Sequence, residues 1–335
     1  VFNWKDAVSQ EGSQSQERTA KARLTMQDFK SAGGAWRETF APTGRSVTLR
    51  LLLVICTILC LRCEHIDVNT AFLYADLETP MYMQGPPDHP CRPGSCLKVV
   101  KALYGCRTAP REWYKLLSSF IISLGFLASV LDPCLFVRGS GGSLFLIFIY
   151  VDDILLCCAD DVIMREVKSR IFTRFKCKEL GPVKRFLGMW LEFADDYSGL
   201  KLHQKPYCKE ITTKYSDWFS MFSTPRKMPL PSDMHDRLGA EIEDSEPVAG
   251  DANFDWFDTF PYLQMIGAGL FLAMTTRPDI MFAVCMLARY SKKRTMASCF
   301  GLAYLYSYLS GTYSMGISFA ARSLDDMTFE MLLDL

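Results

Sequence analysis

The chain has 335 residues, of which 49% are hydrophobic and 22% charged, and its basic and acidic side chains balance to a formal net charge of zero. That composition excludes an intrinsically disordered chain, and the length implies two or more subdomains. Zero net charge excludes a global pull towards polyanions, so affinity for nucleic acid must come from the distribution of charge; thirteen scattered cysteines, an odd number, exclude a simple disulfide framework and point to a reducing compartment.

Residues 1–20 read as an N-terminal tail without a secretory signal. A start at Val1 is what a fragment, a processed product or an incomplete gene model would have. The apolar run Leu51–Leu61 lies between Arg50 and Arg62 and is about half the length needed to cross a bilayer. It predicts a buried helix packed behind a short strand that ends at Asp67. Cys60-x-x-Cys63 and Cys91-x-x-x-x-Cys96 have the donors of a zinc site, set against the placing of Cys60 in an apolar helix. Pro110 predicts a helix start, with Trp113, Leu117, Phe120, Ile121 and Leu124 on one face and Gly125 at its end. A short strand at Cys134–Val137 and a GSGG turn at Gly139–Gly142 follow.

The segment Leu144–Cys158, LFLIFIYVDDILLCC, has two apolar arms around Asp152 and Asp153 and predicts a β-hairpin with both acids at its turn. Two such charges at about 4 Å repel by ~1 kcal/mol in water and ~4 kcal/mol at an effective dielectric near 20. Keeping both between buried arms points to a cation; the plainer alternative is that Asp is a good turn residue. Next, Arg165–Arg185 carries Arg165, Lys168, Arg170, Arg174, Lys176, Lys178, Lys184 and Arg185 against Glu166 and Glu179. With Val167, Ile171 and Phe175 repeating every four residues, it predicts a basic helix, either a track for phosphates or an ordinary wet helix face. A second hairpin closes at Asp195–Gly199, residues 236–258 read as an acidic linker, and 259–319 as helical. Strands and helices in this order predict an α+β fold, an antiparallel sheet backed by helices.

Four blocks recur in a familiar order: EHIDVNTAFLYADL at Glu64–Leu77, LYGCRTAPREWY at Leu103–Tyr114, YVDD at Tyr150–Asp153 and FLGMWLEF at Phe186–Phe193. Together they resemble the reverse transcriptase of Ty1/copia-type retrotransposons. KARL at Lys21–Leu24, ETFAP at Glu38–Pro42 and TRPDI at Thr276–Ile280 extend the resemblance over most of the chain, and the family pattern has no zinc site.

The resemblance implies a right-hand polymerase with fingers, palm and a helical thumb/connection. Fingers, palm and the start of the thumb would occupy 21–235, the thumb/connection 259–319, and 320–335 a truncated lead-in to a missing ribonuclease H domain. It implies an RNA-directed DNA polymerase that adds deoxynucleotides to a primer 3′-hydroxyl with two Mg²⁺ ions, or Mn²⁺, which accepts the same oxygens. Asp67, Asp152 and Asp153 would be the catalytic and metal-binding carboxylates, the first two bridging the ions. Phe72 would abut the nucleotide sugar and exclude a 2′-hydroxyl, its plainer role being core packing. Tyr104 and Gly105 would support the nascent base pair, Lys21 and Arg23 the triphosphate. Arg107 and Arg111 would meet template phosphates, Lys168 and Arg174 the nucleic-acid backbone, and Phe186, Leu187 and Gly188 the primer end. Expected partners are an RNA template, a DNA primer and deoxynucleotides, together with integrase and ribonuclease H parts of a polyprotein, and no membrane. The expected location is a cytoplasmic retroelement particle, extending to the nucleus.

Departures from the family pattern are local. Thr25–Phe29 stands where Val-Ala-Lys-Gly-Phe is usual, Lys292–Phe300 replaces a His-bearing stretch, and Asp325, Asp326, Glu330 and Asp334 lack the ribonuclease H pattern. They define the alternative: a catalytically inactive retroelement remnant, or a nucleic-acid-binding module that kept the fold.

Overall fold

The computed structural model describes residues 2–6, 18–22, 24–28, 38–85, 94–240 and 254–320. It is α+β, with sheets that are antiparallel throughout. The described residues divide into two compact units. One comprises those up to Cys56 together with Leu61–Val183, the other Thr57–Cys60 and those from Lys184 onward.

In the first unit, β1 (Phe2–Asp6) pairs with β2 (Arg18–Ala22), so part of the segment read as a tail is a strand. Helix α1 (Ser46–Ile58) precedes β3 (Arg62–Val68). A 3₁₀ turn at Ala71–Tyr74 leads to the paired strands β4 (Asp76–Met83) and β5 (Leu97–Lys101). Helix α2 (Ala109–Ser123) has Pro110 in its first turn and a left-handed Gly125 just beyond its end, as the sequence predicts. Then come β6 (Leu127–Ala128), β7 (Leu135–Arg138), β8 (Phe145–Tyr150), β9 (Asp153–Cys158), α3 (Asp161–Arg174) and β10 (Cys177–Pro182).

These strands form a six-stranded sheet in the order β10-β3-β9-β8-β7-β6. Residues 145–149 of β8 and 154–158 of β9 are buried without a break, because both faces of the sheet are covered. One face packs Ile66, Val68, Ile147, Ile149, Ile154 and Leu156 against Trp113, Leu117 and Ile121 of α2 and Met164, Val167 and Ile171 of α3. On the other face Cys56 of α1 reaches Cys63 and Cys157. Alternation along β3 puts Cys63, His65 and Asp67 on that same face. The predicted apolar helix therefore exists, but it packs on the side that carries Asp67, further along the strand.

The basic stretch is not one helix. Asp160 caps α3, its Oδ1 accepting from Val162 and Ile163 N–H at 2.7 and 3.1 Å, but the helix ends at Arg174 and the chain turns into β10. Nor do the candidate zinc donors come together among the described residues. Cys60 and Cys96 are exposed, Cys91 lies outside the described residues, and Cys63 joins Cys56 and Cys157 instead.

The second unit contains a four-stranded sheet, in order β11 (Arg185–Phe186), β12 (Met189–Phe193), β13 (Gly199–His203) and β14 (Gly316–Ala320). Its helices are α4 (Lys205–Lys214), α5 (Met234–Ala240), α6 (Phe254–Thr259), α7 (Tyr262–Thr275), α8 (Met281–Ala288) and α9 (Met296–Gly311). The two ends of the acidic segment are thus helical, and residues 241–253 lie outside the described residues. TRPDI has a structural job here. Buried Arg277 donates through Nε and Nη2 to Asp279 at 2.9 and 2.8 Å and through Nη1 to the Thr312 carbonyl at 2.9 Å, while Tyr308 donates to Asp279 at 2.8 Å. Burial alone would raise the Asp279 pKa, but the Arg277 guanidinium overrides it and holds the carboxyl below its usual value. Among the described residues no helix is long and apolar enough to cross a membrane.

Candidate active site

Asp67 at the end of β3 stands directly opposite Asp153, the first residue of β9. Val68 N–H donates to Asp152 O at 2.9 Å, and Asn69 N–H donates to Lys176 O at 2.9 Å on the other side of the strand. Main-chain bonding alternates along an antiparallel strand, so Asp67 and Asp153 form a non-hydrogen-bonded pair, the kind with Cα atoms about 4.5 Å apart and side chains closest. Two carboxylates forced together this way repel. The chain meets this with a donor from below: His65 Nε2 lies 2.7 Å from Asp153 Oδ1, diagonal to it on the same face.

Asp152 occupies the turn. Tyr150 pairs with Asp153, so the loop is only Val151–Asp152, and Val151 sits at φ +59°. A β-branched residue in that region is strained by roughly 1–3 kcal/mol and must be held. Trp113 holds it: its indole N–H donates to Val151 O at 2.6 Å, and its ring packs edge-on to Phe175 at 5.3 Å. All three acids are half-buried. Burial and then the nearby Asp67 charge push the Cys177 thiol up to about 11.

The remaining predicted residues divide. Phe72, 8% exposed, meets Tyr104 edge to face at 4.7 Å, which brings two of them together beside the β3 end. Gly105 adopts φ +88°, and a Cβ there would lie 1.9 Å from Met26 O, so the loop can close on Met26 only with glycine. Gly105→Ala is expected to cost about 2–4 kcal/mol in urea unfolding. Arg107 N–H donates to Asp28 Oδ2 at 3.0 Å and its Nε lies 3.6 Å from the same oxygen, while the side chain stays half-exposed. Arg111 is enclosed by carboxylates instead, Glu38 at 2.7 Å, Glu112 at 3.1 Å and Glu78 at 3.7 Å. Lys168 is likewise occupied, by Glu64 at 2.5 Å and by Glu179. Arg174 lies over the Phe175 ring. Lys21 lies in β2 opposite Asn3, and Arg23 is outside the described residues. In the second unit, Phe186 pairs with Met189 across a two-residue turn in which Leu187 and Gly188 both have positive φ, +47° and +82°. That is the signature of a tight type I′ hairpin.

A family model described as reverse transcriptase (RNA-dependent DNA polymerase) matches residues 3–221. The chain belongs to the reverse transcriptases of Ty1/copia-type retrotransposons. This reverse transcriptase domain is 28% identical over 87% of its length to the retrovirus-related Pol polyprotein from transposon TNT 1-94 of Nicotiana tabacum, covering 22% of that protein. It is 30% identical over 89% of its length to the Pol polyprotein from transposon RE1 of Arabidopsis thaliana, covering 19% of it. A transposon Ty5-1 protein of Saccharomyces cerevisiae is 25% identical over 77% of the chain and 79% of its own length. The chain thus spans about a fifth of the plant Pol polyproteins it matches.

Two features of this reverse transcriptase domain escaped sequence reading, His65 under Asp153 and Trp113 on the Val151 carbonyl. The first had a signal, since His65 is two residues before Asp67 and must share its face. The second had none beyond a Trp on an amphipathic helix. If His65 orients Asp153 beside the other two acids, His65→Leu slows primer extension by about 10–100-fold, the usual loss for a group in the outer shell of a metal site, whereas His65→Gln, which keeps a donor, retains most of the rate.

Proposed function

We propose that the chain catalyses RNA-directed DNA synthesis, with the carboxylates at the β3 and β9 ends as its reaction centre. The observation that carries this reading is the Asp67–Asp153 register with Asp152 in the adjoining two-residue turn. That apposition costs stability unless a cation offsets it. The donors are oxygens only, on a rigid strand pair, which suits Mg²⁺. With His65 on Asp153, Asp67 and Asp152 are the carboxylates that would hold the ions. Bound there, two Mg²⁺ ions would supply Lewis-acid activation of the primer 3′-hydroxyl and neutralise the charge on the leaving pyrophosphate.

The chain's own residues do the rest. Trp113 and His65 fix the turn and the inner acid, so the reaction centre needs no reorganisation when substrate arrives. Phe72, braced by Tyr104, bars a 2′-hydroxyl from the nucleotide sugar. Arg107, the more open of the two template arginines, takes backbone phosphates, while Arg111 and Lys168 serve mainly to tie elements together through ion pairs. In this reading the first unit supplies the palm of a right-hand polymerase.

Primer extension on a poly(A) template with oligo(dT), dTTP and Mg²⁺ tests the proposal. Extension by the intact chain that Asp152→Asn abolishes supports it. Salt-sensitive binding to an RNA/DNA hybrid without extension would replace it with a binding module that kept the fold.

A further inference from the structure

The first unit also contains a cluster for which polymerisation has no use. Cys56 on α1, Cys63 on β3 and Cys157 on β9 bring their Sγ atoms within 4.8 Å of one another, and none is more than 1% exposed. Cys63 and Cys157 stand directly opposite each other. By the alternation that fixes the Asp67–Asp153 pair, they too are a non-hydrogen-bonded pair, with side chains at closest approach. Cys56 comes down on them from the helix. We infer that Cys56, Cys63 and Cys157 form a buried three-sulfur site for a thiophilic divalent cation of the zinc class.

The span is right for such an ion. A metal–sulfur bond of about 2.3 Å sets sulfurs that share a cation on the order of 4 Å apart, so the trio needs little contraction. The donor set is soft and contains no oxygen, which selects against the Mg²⁺ expected at the aspartates. Among the described residues this is the one grouping of three or more metal-ligating side chains so tightly drawn. Cys134, Cys208 and Cys299 are also buried, and the ordinary preference of cysteine for cores accounts for them. That preference does not account for three sulfurs converging from three elements.

The Cys63 S–H donates to Leu61 O at 3.7 Å, a weak bond that a cation on the sulfur would replace. The ion would tie α1 to β3 and β9, on the face that carries Asp67 and two side-chain steps from it.

The experiment is elemental analysis of the full chain purified without chelator, with titration of its thiols after denaturation. The expected result is one zinc per chain, lost in Cys63→Ser and Cys157→Ser and retained in Cys60→Ser and Cys96→Ser. Cd²⁺ added to the wild-type chain should displace the zinc and develop a sulfur-to-metal charge-transfer absorption that saturates at one equivalent. The wild-type arm decides even where a variant fails to fold. All thirteen thiols titrating, with no metal and no absorption with Cd²⁺, overturns the inference. Two thiols missing with no metal means a disulfide in place of the metal site and overturns it equally, as does zinc retained by every variant.

Discussion

Asp67→Asn is expected to lower primer extension by about 10³-fold or more without unfolding the chain. The substitution keeps shape and removes the charge. A metal ion at a reacting oxygen contributes several kcal/mol of transition-state stabilisation, and each 1.36 kcal/mol is about tenfold in rate. The same change relieves the repulsion from Asp153, so the denaturation midpoint should hold steady or rise by about 1 kcal/mol in free energy. Asp153→Asn should cost less, because His65 already occupies one of its oxygens. Equal losses at Asp67 and Asp153, measured as extension rates at saturating Mg²⁺, would rule out the division of labour between them. A fall in stability at Asp67 would mean that its carboxylate is a structural partner and not a reserved ligand.

Trp113→Ala should destabilise the first unit by about 3–5 kcal/mol, the usual cost of emptying a buried aromatic site. Trp113 is 1% exposed and sits among Tyr74, Phe175 and the buried residues of β8 and β9. Its loss also leaves the Val151 carbonyl without its indole donor and the strained turn without its brace. Trp113→Phe separates the two effects. It keeps most of the apolar volume and should cost about 1–3 kcal/mol through the unpaired carbonyl, with a fall in extension rate larger than the stability change explains. Urea unfolding of the two variants is the measurement. A cost below about 1 kcal/mol for Trp113→Ala would show that the ring is not part of the core that holds the turn.

How far the sequence foretold this depends on the distance over which each feature is encoded. The β8–β9 hairpin was legible because its signal is local: two apolar arms and two turn residues. The ends of α2 were legible for the same reason, from Pro110 and Gly125. The Asp67–Asp153 register was not, since nothing near Asp67 names its partner strand, and only the family resemblance joined them. The basic stretch misled because a count of charges takes no account of partners. Lys168 finds Glu64, which lies 104 residues away in sequence, and the stretch breaks between α3 and β10. The cysteine trio was invisible for a related reason. Its members belong to a helix and two strands, and the local Cys60-x-x-Cys63 spacing drew attention to the wrong neighbour.

The strand order β10-β3-β9-β8 also sets when the acidic centre can come into being. The β8–β9 hairpin closes over a two-residue loop and can form in about 1–10 μs. The β3–β9 pairing must instead bring together segments separated by β4, β5, α2, β6, β7 and β8, and such non-local closure is slow because its loop entropy is paid before its contacts are made. On a ribosome, Asp67 therefore waits with an unpaired edge until Asp153 has emerged, and β3 gains its second neighbour only when β10 follows. During that interval the apolar β8 and β9 arms are a hazard for pairing with other chains, so synthesis speed through the 67–182 stretch should govern how much soluble protein is recovered.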